Sequence, residues 1–399
     1  MKILFLCLAI AASQFSKPSF ANPIAEHVIL ISCDGMRPDA IVSLGPEKAP
    51  NLHRIRREGA ITDNARTDPD STTTLQNHSS MITGRGVQGD AGHQWTDNGN
   101  PKIGQNLHRN RGFYIYSVFD AAHDFGRKTA LLASKPKFSI FDWSYDEGRG
   151  KADPIAPDNG KDKIDVFLAS TSAERALKTM LEMLESDSPP HFTLLHFVNP
   201  DAAGHRSGWN LSSTSTEYMR SISTVDGYIG KVMAAVEASP RLRNSTTIIV
   251  TADHGGKTGT KGHEQSSVME NYRIPFYVWG QGTTSGGAEL YRLNRDTRRD
   301  PGQENPDFDS GLQPIRSGGA GNLALSLLGL PPIPGSTINS RHDLKIGRPM
   351  DLSQATAGGP GNPNGEAGSL PTISVNPETP PQSGTVRWKK RIRAIPIGQ

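Results

Sequence analysis

Cysteine is almost absent from this sequence, since only Cys7 and Cys33 occur among 399 residues. A cleaved leader would remove Cys7, so no intramolecular disulfide can form and no cysteine-rich metal site exists. Stability must therefore come from an apolar core. The remaining length of about 380 residues is ample for one large α/β domain.

Long apolar runs are also lacking, because no internal stretch approaches the roughly 20 residues that a membrane-spanning helix needs. At the N-terminus, Lys2 precedes the apolar run Ile3–Ala12, and Ser19–Ala21 supplies a small-residue ending. This pattern is typical of a signal peptide, whereas the run is about half the length of a membrane anchor. We predict a cleaved signal peptide at residues 1–21, a periplasmic or secreted protein, and no transmembrane span in the mature chain.

A strong charge of one sign is missing as well, since 43 Lys and Arg residues face 40 Asp and Glu residues. No basic stripe interleaved with aromatic residues crosses the body of the chain, which argues against a protein that coats nucleic acid. From residue 351 onward Pro, Gly, Asn and Ser dominate without apolar periodicity, which predicts a disordered tail at 351–399. We interpret its basic end, Arg387–Arg393, as a solvated charge run rather than a membrane or nucleic-acid patch.

Short apolar runs rich in β-branched residues predict buried parallel strands. These runs are His27–Cys33, Thr129–Ala133, Phe192–Phe197, Thr247–Ala252 and Ile274–Trp279. Apolar residues at helical spacing predict helices between and after them. These helices are Leu52–Glu58, Phe113–Phe125, Asp165–Leu184, Glu217–Val236 and Asn322–Leu328. The alternation predicts one α/β domain at residues 22–350, a three-layer sandwich with a mostly parallel central sheet and helices on both faces.

Acidic residues and histidines follow three of the predicted strands, and in open α/β sheets ligand groups gather beyond the carboxyl ends of strands. The residues are Asp34 after the first strand, Asp201 and His205 after the third, Asp253 and His254 after the fourth, and His263 shortly afterwards. Carboxylate and imidazole ligands without thiolate favour zinc, with manganese or iron as alternatives. Taken singly, each motif is also compatible with an ordinary turn or strand-to-turn cap.

A run of hydroxyl side chains, Ser71–Thr74, opens the polar stretch Ser71–Gly84. A hydroxyl at a helix N-terminus is well placed to react with a phosphate, because the helix amides and dipole favour an anion there. Metal coordination would lower the pKa of such a hydroxyl and make it a nucleophile. The residues alone leave Thr72, Thr73 and Thr74 open as the nucleophile, and also leave open a plain polar loop or N-cap.

In these segments the sequence resembles the alkaline phosphatase superfamily, specifically its type I phosphodiesterase/nucleotide pyrophosphatase branch, over roughly residues 28–282. The stretches that carry the resemblance are Ser32–Arg37, Thr74–His78, Met81–Gly84, Asp201–His205, Asp253–Gly255, His263 and Ile274–Gly280. The resemblance implies an alkaline-phosphatase-like fold and a metal-dependent hydrolase of small phosphate esters, most simply phosphodiesters or nucleotide pyrophosphates.

The resemblance also implies roles for individual residues. Thr74 would be the nucleophile and would form a phosphothreonine intermediate. Two divalent metal ions would be bound by two groups of ligands. One group is Asp34, Asp253, His254 and the Thr74 oxygen, and the other is Asp201, His205 and His263.

Three features depart from the family pattern. Leu75 stands where nucleotide-cleaving members carry an aromatic residue. The Asn that binds a phosphoryl oxygen in the family has no clean counterpart, so Asn98 or His93 is the candidate. His263 follows His254 by only nine positions, which indicates a compact relative and leaves His342 as a lesser alternative ligand.

The same residues bear on three rival functions. A sulfatase is excluded because Cys33 is followed by Asp34-Gly35-Met36-Arg37, without the Pro of the sulfatase motif. A phosphomonoesterase or phosphonate hydrolase on the same metal core remains an alternative. A non-catalytic metal-binding surface protein is less favoured, because a structural zinc site is closed whereas a site that shares a hydroxyl keeps a position open.

Overall fold

The computed structural model describes residues 22–154, 160–284 and 286–347. The predicted signal peptide at 1–21 and the predicted tail at 351–399 lie outside the described residues. The domain boundaries drawn from the sequence therefore stay predictions.

The strands of the described residues form one eight-stranded sheet with the spatial order β4-β3-β5-β1-β6-β7-β2-β8. Their bounds are β1 His27–Cys33, β2 Ala60–Arg66, β3 Thr129–Ala133, β4 Val166–Ala169, β5 Phe192–Phe197, β6 Thr246–Thr251, β7 Arg273–Gly280 and β8 Ala288–Glu289.

Helices connect and cover these strands. In chain order they are α1 Pro38–Lys48, α2 Pro50–Glu58, α3 Thr74–Thr83, α4 Leu107–Arg111, α5 Val118–His123, α6 Ser139–Ser144, α7 Ala173–Glu185, α8 Asn199–Ser207, α9 Glu217–Ala238, α10 Met269–Tyr272, α11 Leu290–Leu293 and α12 Ala320–Leu327.

The sheet is mostly parallel, as predicted. Strands β4, β3, β5, β1 and β6 all run in one direction. Strand β7 runs antiparallel to both of its neighbours, β6 and β2, so the prediction of a parallel strand at Ile274–Trp279 was wrong. The chain between β6 and β7 contains only the four-residue helix α10, and an antiparallel neighbour needs no long helical crossover.

Both faces of the sheet are covered, because all residues of the central strand β1 are buried. Helices α2 and α7 each contact α9, and α7 packs on β3 and β5. A second set, α3, α5 and α12, packs together, with α12 against β1. The predicted α/β class with helices on both faces is confirmed.

Three strands, β2, β4 and the two-residue β8, were not predicted from the sequence. Strand β4, Val166–Ala169, occupies the start of the predicted helix Asp165–Leu184, and helix α7 begins only at Ala173, where the Ser172 side chain accepts a hydrogen bond from the Arg175 amide. Strand β2 was not predicted, because polar residues interrupt its apolar pattern and its register shifts between Thr62 and Ala65.

The sheet order brings four carboxyl ends side by side. Strands β3, β5, β1 and β6 are consecutive neighbours and parallel, so the segments that follow them share one edge of the sheet. No helix of the described residues is long and apolar enough to cross a membrane.

Candidate active site

Each of the four adjacent strand ends supplies a charged side chain to one buried cluster. Lys135 follows β3, Asp201 follows β5, Asp34 follows β1, and Asp253 follows β6. The three carboxylates are almost fully buried. Burying an ionised carboxylate costs free energy unless it is paired with a positive charge or binds a cation. Three buried carboxylates at this edge of the sheet therefore indicate a site for cations.

Asp34 is held through one of its two carboxylate oxygens. Its Oδ2 lies 2.8 Å from His196 Nε2 and 2.7 Å from Lys135 Nζ. Burial alone would raise the pKa of Asp34, but Lys135 and the His196 hydrogen bond outweigh burial and hold this pKa well below its usual range. Asp34 is therefore ionised at neutral pH.

Asp253 and His254 are oriented by backbone groups. Asp253 Oδ1 accepts hydrogen bonds from the amides of Gly35 and His254, at 3.2 and 3.0 Å. His254 Nδ1 lies 2.8 Å from the Gly255 carbonyl oxygen, which can only accept, so Nδ1 carries the proton of the neutral ring. Burial lowers the pKa of His254, but Asp253 and Asp34 outweigh burial and raise it to about 9, so without an ion the ring also carries a proton on Nε2. In the neutral ring that binds a metal ion, Nε2 presents a lone pair 3.2 Å from Asp34 Oδ1 and 3.4 Å from Asp253 Oδ2.

Asp201 lies in the first turn of α8, and His205 one turn later contacts it. The His205 Nε2 is 3.2 Å from Asp201 Oδ1, and the His205 side chain remains 44% exposed. His263 Nε2 lies 3.6 Å from the same oxygen, and its Nδ1 is fixed by the Thr72 carbonyl at 2.6 Å. The structure therefore brings Asp201, His205 and His263 together, with His205 at the entrance.

Four buried polar atoms in this cluster make no hydrogen bond within the described part of the chain. They are Asp34 Oδ1, Asp201 Oδ1, Asp253 Oδ2 and His254 Nε2. Buried polar atoms are normally satisfied, and all four are lone-pair donors once His254 Nδ1 carries the ring proton. Oxygen and imidazole ligands of this kind fit divalent ions of the zinc class.

Two overlapping sets of potential ligand atoms meet the geometric requirement for binding an ion. Asp34, Asp253 and His254 form one set, which matches the three side chains grouped from the sequence. Asp201, His254 and His263 form the other set. It contains His254 in place of His205, which the resemblance had grouped with Asp201 and His263. The rings of His254 and His263 stack with centroids 3.6 Å apart, which explains why His254 reaches both sets.

Thr74 is the first residue of α3, and its side chain is almost completely buried. Its Oγ1 lies 3.3 Å from Lys135 Nζ. The Thr74 carbonyl accepts a hydrogen bond from His78 Nδ1 at 2.8 Å, and His78 Nε2 reaches Ser32 Oγ at 2.8 Å in β1. The neighbouring Thr72 hydroxyl is engaged by the His263 carbonyl, so Thr74 is the hydroxyl of this run that faces the cationic Lys135.

Lys135 is the most central residue that sequence reasoning missed. Its Nζ is 2.7 Å from Asp201 Oδ2 as well as from Asp34 Oδ2. Burial lowers the pKa of Lys135, but Asp34 and Asp201 raise it more, so the net pKa is raised and the side chain is charged. The available signal was its position directly after strand β3, although Ser134-Lys135-Pro136-Lys137 resembles an ordinary basic turn.

Of the two candidates for binding a phosphoryl oxygen, the structure brings Asn98 to the site. Asn98 Oδ1 accepts hydrogen bonds from the amide of Leu75 and from Lys137 Nζ, both at 3.0 Å. This leaves the side-chain NH2 of Asn98 as a donor beside the N-terminus of α3. Burial lowers the pKa of Lys137, so a bound anion would stabilise its charged form.

His93 lies elsewhere in the fold. It is fully buried, its Nδ1 accepts from the Trp95 amide at 3.0 Å, and its Nε2 lies 3.2 Å from both Ser80 Oγ and the Gln76 carbonyl. Burial lowers the pKa of His93 to about 3. These contacts argue against His93 as a substrate-binding residue.

The alternative ligand His342 is not part of either set of potential ligand atoms. It adopts a left-handed backbone conformation with φ 54°, and its amide is bonded to the Asn339 carbonyl. The structure therefore gives His263, rather than His342, to the candidate metal centre.

Comparison with known families places these motifs in a wider context. A family model described as type I phosphodiesterase / nucleotide pyrophosphatase matches residues 28–310. Among curated proteins, ectonucleotide pyrophosphatase/phosphodiesterase family member 1 of Mus musculus is 26% identical over 238 residues, covering 58% of this chain and 24% of that protein. Bis(5'-adenosyl)-triphosphatase enpp4 of Mus musculus is 23% identical over 273 residues, covering 64% of this chain and 52% of that protein. The chain thus corresponds to only part of these longer relatives.

Solved structures show the same fold. Murine ectonucleotide pyrophosphatase/phosphodiesterase 5, as an inactive variant in complex with AMP, superimposes with a TM-score of 0.53 at 14% identity, covering 80% of this chain and 100% of that one. The human counterpart gives a TM-score of 0.51 at 14% identity, covering 80% and 99%. At this level of identity the likeness concerns the fold.

Proposed function

The chain belongs to the type I phosphodiesterase / nucleotide pyrophosphatase family, and from this premise we propose that it is an exported two-metal hydrolase of phosphate esters. Its favoured substrates are phosphodiesters or nucleotide pyrophosphates. The observation that supports this proposal best is the convergence of four unpartnered buried ligand atoms in a cluster whose Lys135 also contacts the Thr74 hydroxyl.

Asp34, Asp253, His254 and Thr74 would hold one divalent ion, and Asp201, His205 and His263 the other, most simply as zinc. Ions bound there would lower the pKa of the Thr74 hydroxyl and neutralise charge on the phosphoryl group. His254 would contribute to both sites, because it belongs to both sets of potential ligand atoms and its ring stacks on His263.

The residues of the chain position the reaction. Thr74 Oγ1 attacks phosphorus as the bond to the leaving ester oxygen breaks; the Thr74 proton passes to solvent and the leaving oxygen takes up a proton from solvent. The phosphoryl group, with its second ester group where the substrate is a diester, is then bonded to Thr74 as phosphothreonine. Water then cleaves the phosphothreonine bond, releases phosphate or a phosphate monoester, and restores the hydroxyl. The buried Lys135 ammonium and the Asn98 amide add positive charge and a donor beside Thr74, in keeping with phosphoryl transfer being mostly positioning and charge neutralisation.

The decisive variant is Thr74→Ala, compared with Thr73→Ala as a matched control one position earlier. Thr73 contacts Ser71 Oγ at 2.9 Å rather than a charged residue of the site. We expect wild type and Thr73→Ala to hydrolyse bis-p-nitrophenyl phosphate, to lose activity with a chelator and to recover it with zinc. Thr74→Ala should lose at least about 1,000-fold in kcat while keeping its zinc, because the nucleophile itself is removed.

Full activity in Thr74→Ala would remove Thr74 from the mechanism. p-Nitrophenyl sulfate, assayed in parallel, should remain uncleaved by all three proteins. Rapid acid quench of wild type during turnover of bis-p-nitrophenyl phosphate should trap a p-nitrophenyl phosphoryl group on Thr74, which mass spectrometry of the digested protein can locate.

A phosphomonoesterase is the second candidate, and the two lysines after β3 favour it. Lys135 lies beside Thr74, and Lys137 reaches Asn98, so two ammonium groups adjoin the reaction centre. A phosphate monoester carries one more negative charge than a diester and gains more from such a cluster.

The ratio of kcat/KM for p-nitrophenyl phosphate to that for bis-p-nitrophenyl phosphate separates the two candidates. A ratio above one in wild type would support the phosphomonoesterase, and Lys137→Met should then lower it by about tenfold. A ratio well below one that Lys137→Met leaves unchanged would support the diesterase.

A further inference from the structure

We propose that Lys135 is a built-in counter-cation of the metal-binding carboxylates, which keeps the site assembled before metal ions bind and opposes the ions when they arrive. This inference goes beyond the proposed reaction, but it rests on the two-metal part of the proposed function.

The contacts of Lys135 are its first support. Its Nζ bridges Asp34 Oδ2 and Asp201 Oδ2, each at 2.7 Å, and these two residues follow different strands and belong to different proposed metal sites. The second oxygen of each carboxylate, Oδ1, has no hydrogen-bond partner in the described residues. Lys135 thus bridges the two proposed sites through the Oδ2 atoms of Asp34 and Asp201, which we call the outer oxygens. The Oδ1 atoms, the inner oxygens, remain available to bind ions.

Charge is the second support. The three carboxylates Asp34, Asp201 and Asp253 are buried. Each has an oxygen within 3.8 Å of His254 Nε2, and Asp34 and Asp201 also contact Lys135. The Lys135 side chain is itself only 15% exposed, so its attraction to Asp34 and Asp201 is weakly screened. Without that ammonium, like charges from separate strand ends would repel one another across the edge of the sheet.

The same position makes Lys135 a competitor of bound metal. Two divalent ions supply positive charge to the same carboxylates, and an ammonium bonded to the outer oxygens then repels those ions. By linkage, a group that stabilises the metal-free protein more than the metal-loaded protein weakens metal binding. The loss in binding free energy equals the difference between its two stabilising effects. A residue that merely orients the carboxylates has the opposite effect, because its loss weakens metal binding.

The test compares Lys135→Met with Lys137→Met. Both variants remove one partly buried ammonium from the same turn, but Lys137 Nζ is bonded to Asn98 rather than to a carboxylate. Each protein is stripped with a chelator, and two quantities are measured: the zinc affinity, by competition with a chromophoric chelator, and the denaturant midpoint of unfolding with and without zinc.

For Lys135→Met we expect zinc binding at least about tenfold tighter than in wild type, a lower unfolding midpoint for the stripped protein, and nearly the wild-type midpoint with zinc. Lys137→Met should change zinc affinity by less than about threefold, and Lys135→Arg, which keeps the charge, should stay near wild type. A Lys135→Met protein that is soluble only when zinc is supplied would also support the proposal.

Zinc affinity in Lys135→Met that is unchanged or weaker than in Lys137→Met would overturn the counter-cation role. So would failure of Lys135→Met to fold even with zinc. Wild type that binds no zinc would instead overturn the proposed function, so the two failures are distinguishable.

Discussion

At the scale of single residues, His196 links the sheet to the candidate metal centre. It lies in β5 opposite Ser32 of β1, and its Nε2 is 2.8 Å from Asp34 Oδ2, while Nδ1 faces the Ser134 amide at 3.4 Å. The amide can only donate, so Nδ1 accepts and Nε2 donates to Asp34. Partners of this kind hold metal ligands in their binding orientation.

We therefore expect His196→Ala to bind zinc about 10- to 100-fold more weakly than wild type. His196→Gln should recover most of this loss, because the glutamine NH2 can replace the Nε2 donor. Zinc bound per chain at fixed free zinc, measured with a metal buffer, reports the effect directly. Equal zinc affinity in the Ala and Gln variants would show that the Asp34 hydrogen bond does not matter.

Some residues of the site could be predicted from the sequence, and others could not. Asp34, Asp201 and Asp253 are visible because acidic residues that directly follow apolar runs stand out. His196 is hidden, because a histidine inside a strand gives no sign of the Asp34 contact that comes from another strand. Lys135 is hidden because its two carboxylate partners lie far away along the chain.

At the scale of secondary-structure elements, an ionic network joins the end of α5 to the segment before β4. His123 Nδ1 lies 3.0 Å from Asp153 Oδ2, and its Nε2 lies 3.7 Å from Asp165 Oδ1. The buried Lys163 contacts Asp153 and Asp124. Asp165 also accepts from the Thr129 amide at the start of β3, so this network lies at the sheet edge opposite the candidate active site.

The pH dependence of stability follows from His123. Burial lowers its pKa, but Asp165 and Asp153 outweigh burial and raise the pKa to about 9, above 6.5 in the unfolded chain. A raised pKa means that the folded protein binds the proton more tightly. The stabilisation is therefore complete below about pH 6.5 and is lost as pH rises towards about 9.

We expect wild type to be more stable than His123→Gln near pH 6. This difference in the free energy of unfolding should shrink by up to about 3 kcal/mol when the pH is raised to about 10. Urea unfolding of both proteins at a fixed zinc concentration measures this difference. Lys178→Gln, which changes a largely exposed residue, is the control and should show no such trend. A pH-independent gap between wild type and His123→Gln would mean that His123 acts through packing alone.

Elements were predictable where one physical signal dominated. The bounds of β1, β3 and β5 agree with the sequence prediction, because each is a short, mostly apolar run. Strand β4 was merged with α7, since its four residues adjoin the helical periodicity and no strong breaker separates them. The direction of β7 could not be predicted, because chain direction depends on tertiary pairing rather than on local pattern.

At the scale of the whole molecule, the sheet, its helices and all candidate site residues lie between residues 22 and 347. We therefore expect a protein of residues 22–350 to match a protein of residues 22–399 in melting temperature, within about 2 °C, and in kcat. Calorimetry and the bis-p-nitrophenyl phosphate assay measure the two quantities. A clearly lower melting temperature or activity of the shorter protein would assign a role to residues 351–399.

A protein of residues 22–316 serves as the destabilised reference for this comparison. It lacks α12, which packs on β1 and α3 and buries Leu323, Leu325 and Leu327. Removing three buried leucines costs several kcal/mol in total, which is a large share of the usual stability of a domain. We expect this protein to be insoluble or molten.

The central position of β1 has a consequence for how the chain reaches its native state. Val28 pairs with Phe192 of β5 on one side and with Thr247 of β6 on the other. The ribosome therefore makes β1 long before it makes the two strands that pair with β1. Such a topology has a high contact order, and folding rates fall as contact order rises. A nucleus around β1 therefore needs residues as far apart as Val28 and Thr247, so it can form only after the ribosome has made most of this segment. Such late folding would suit the proposed export, because the chain would still be unfolded when it reached a secretion channel.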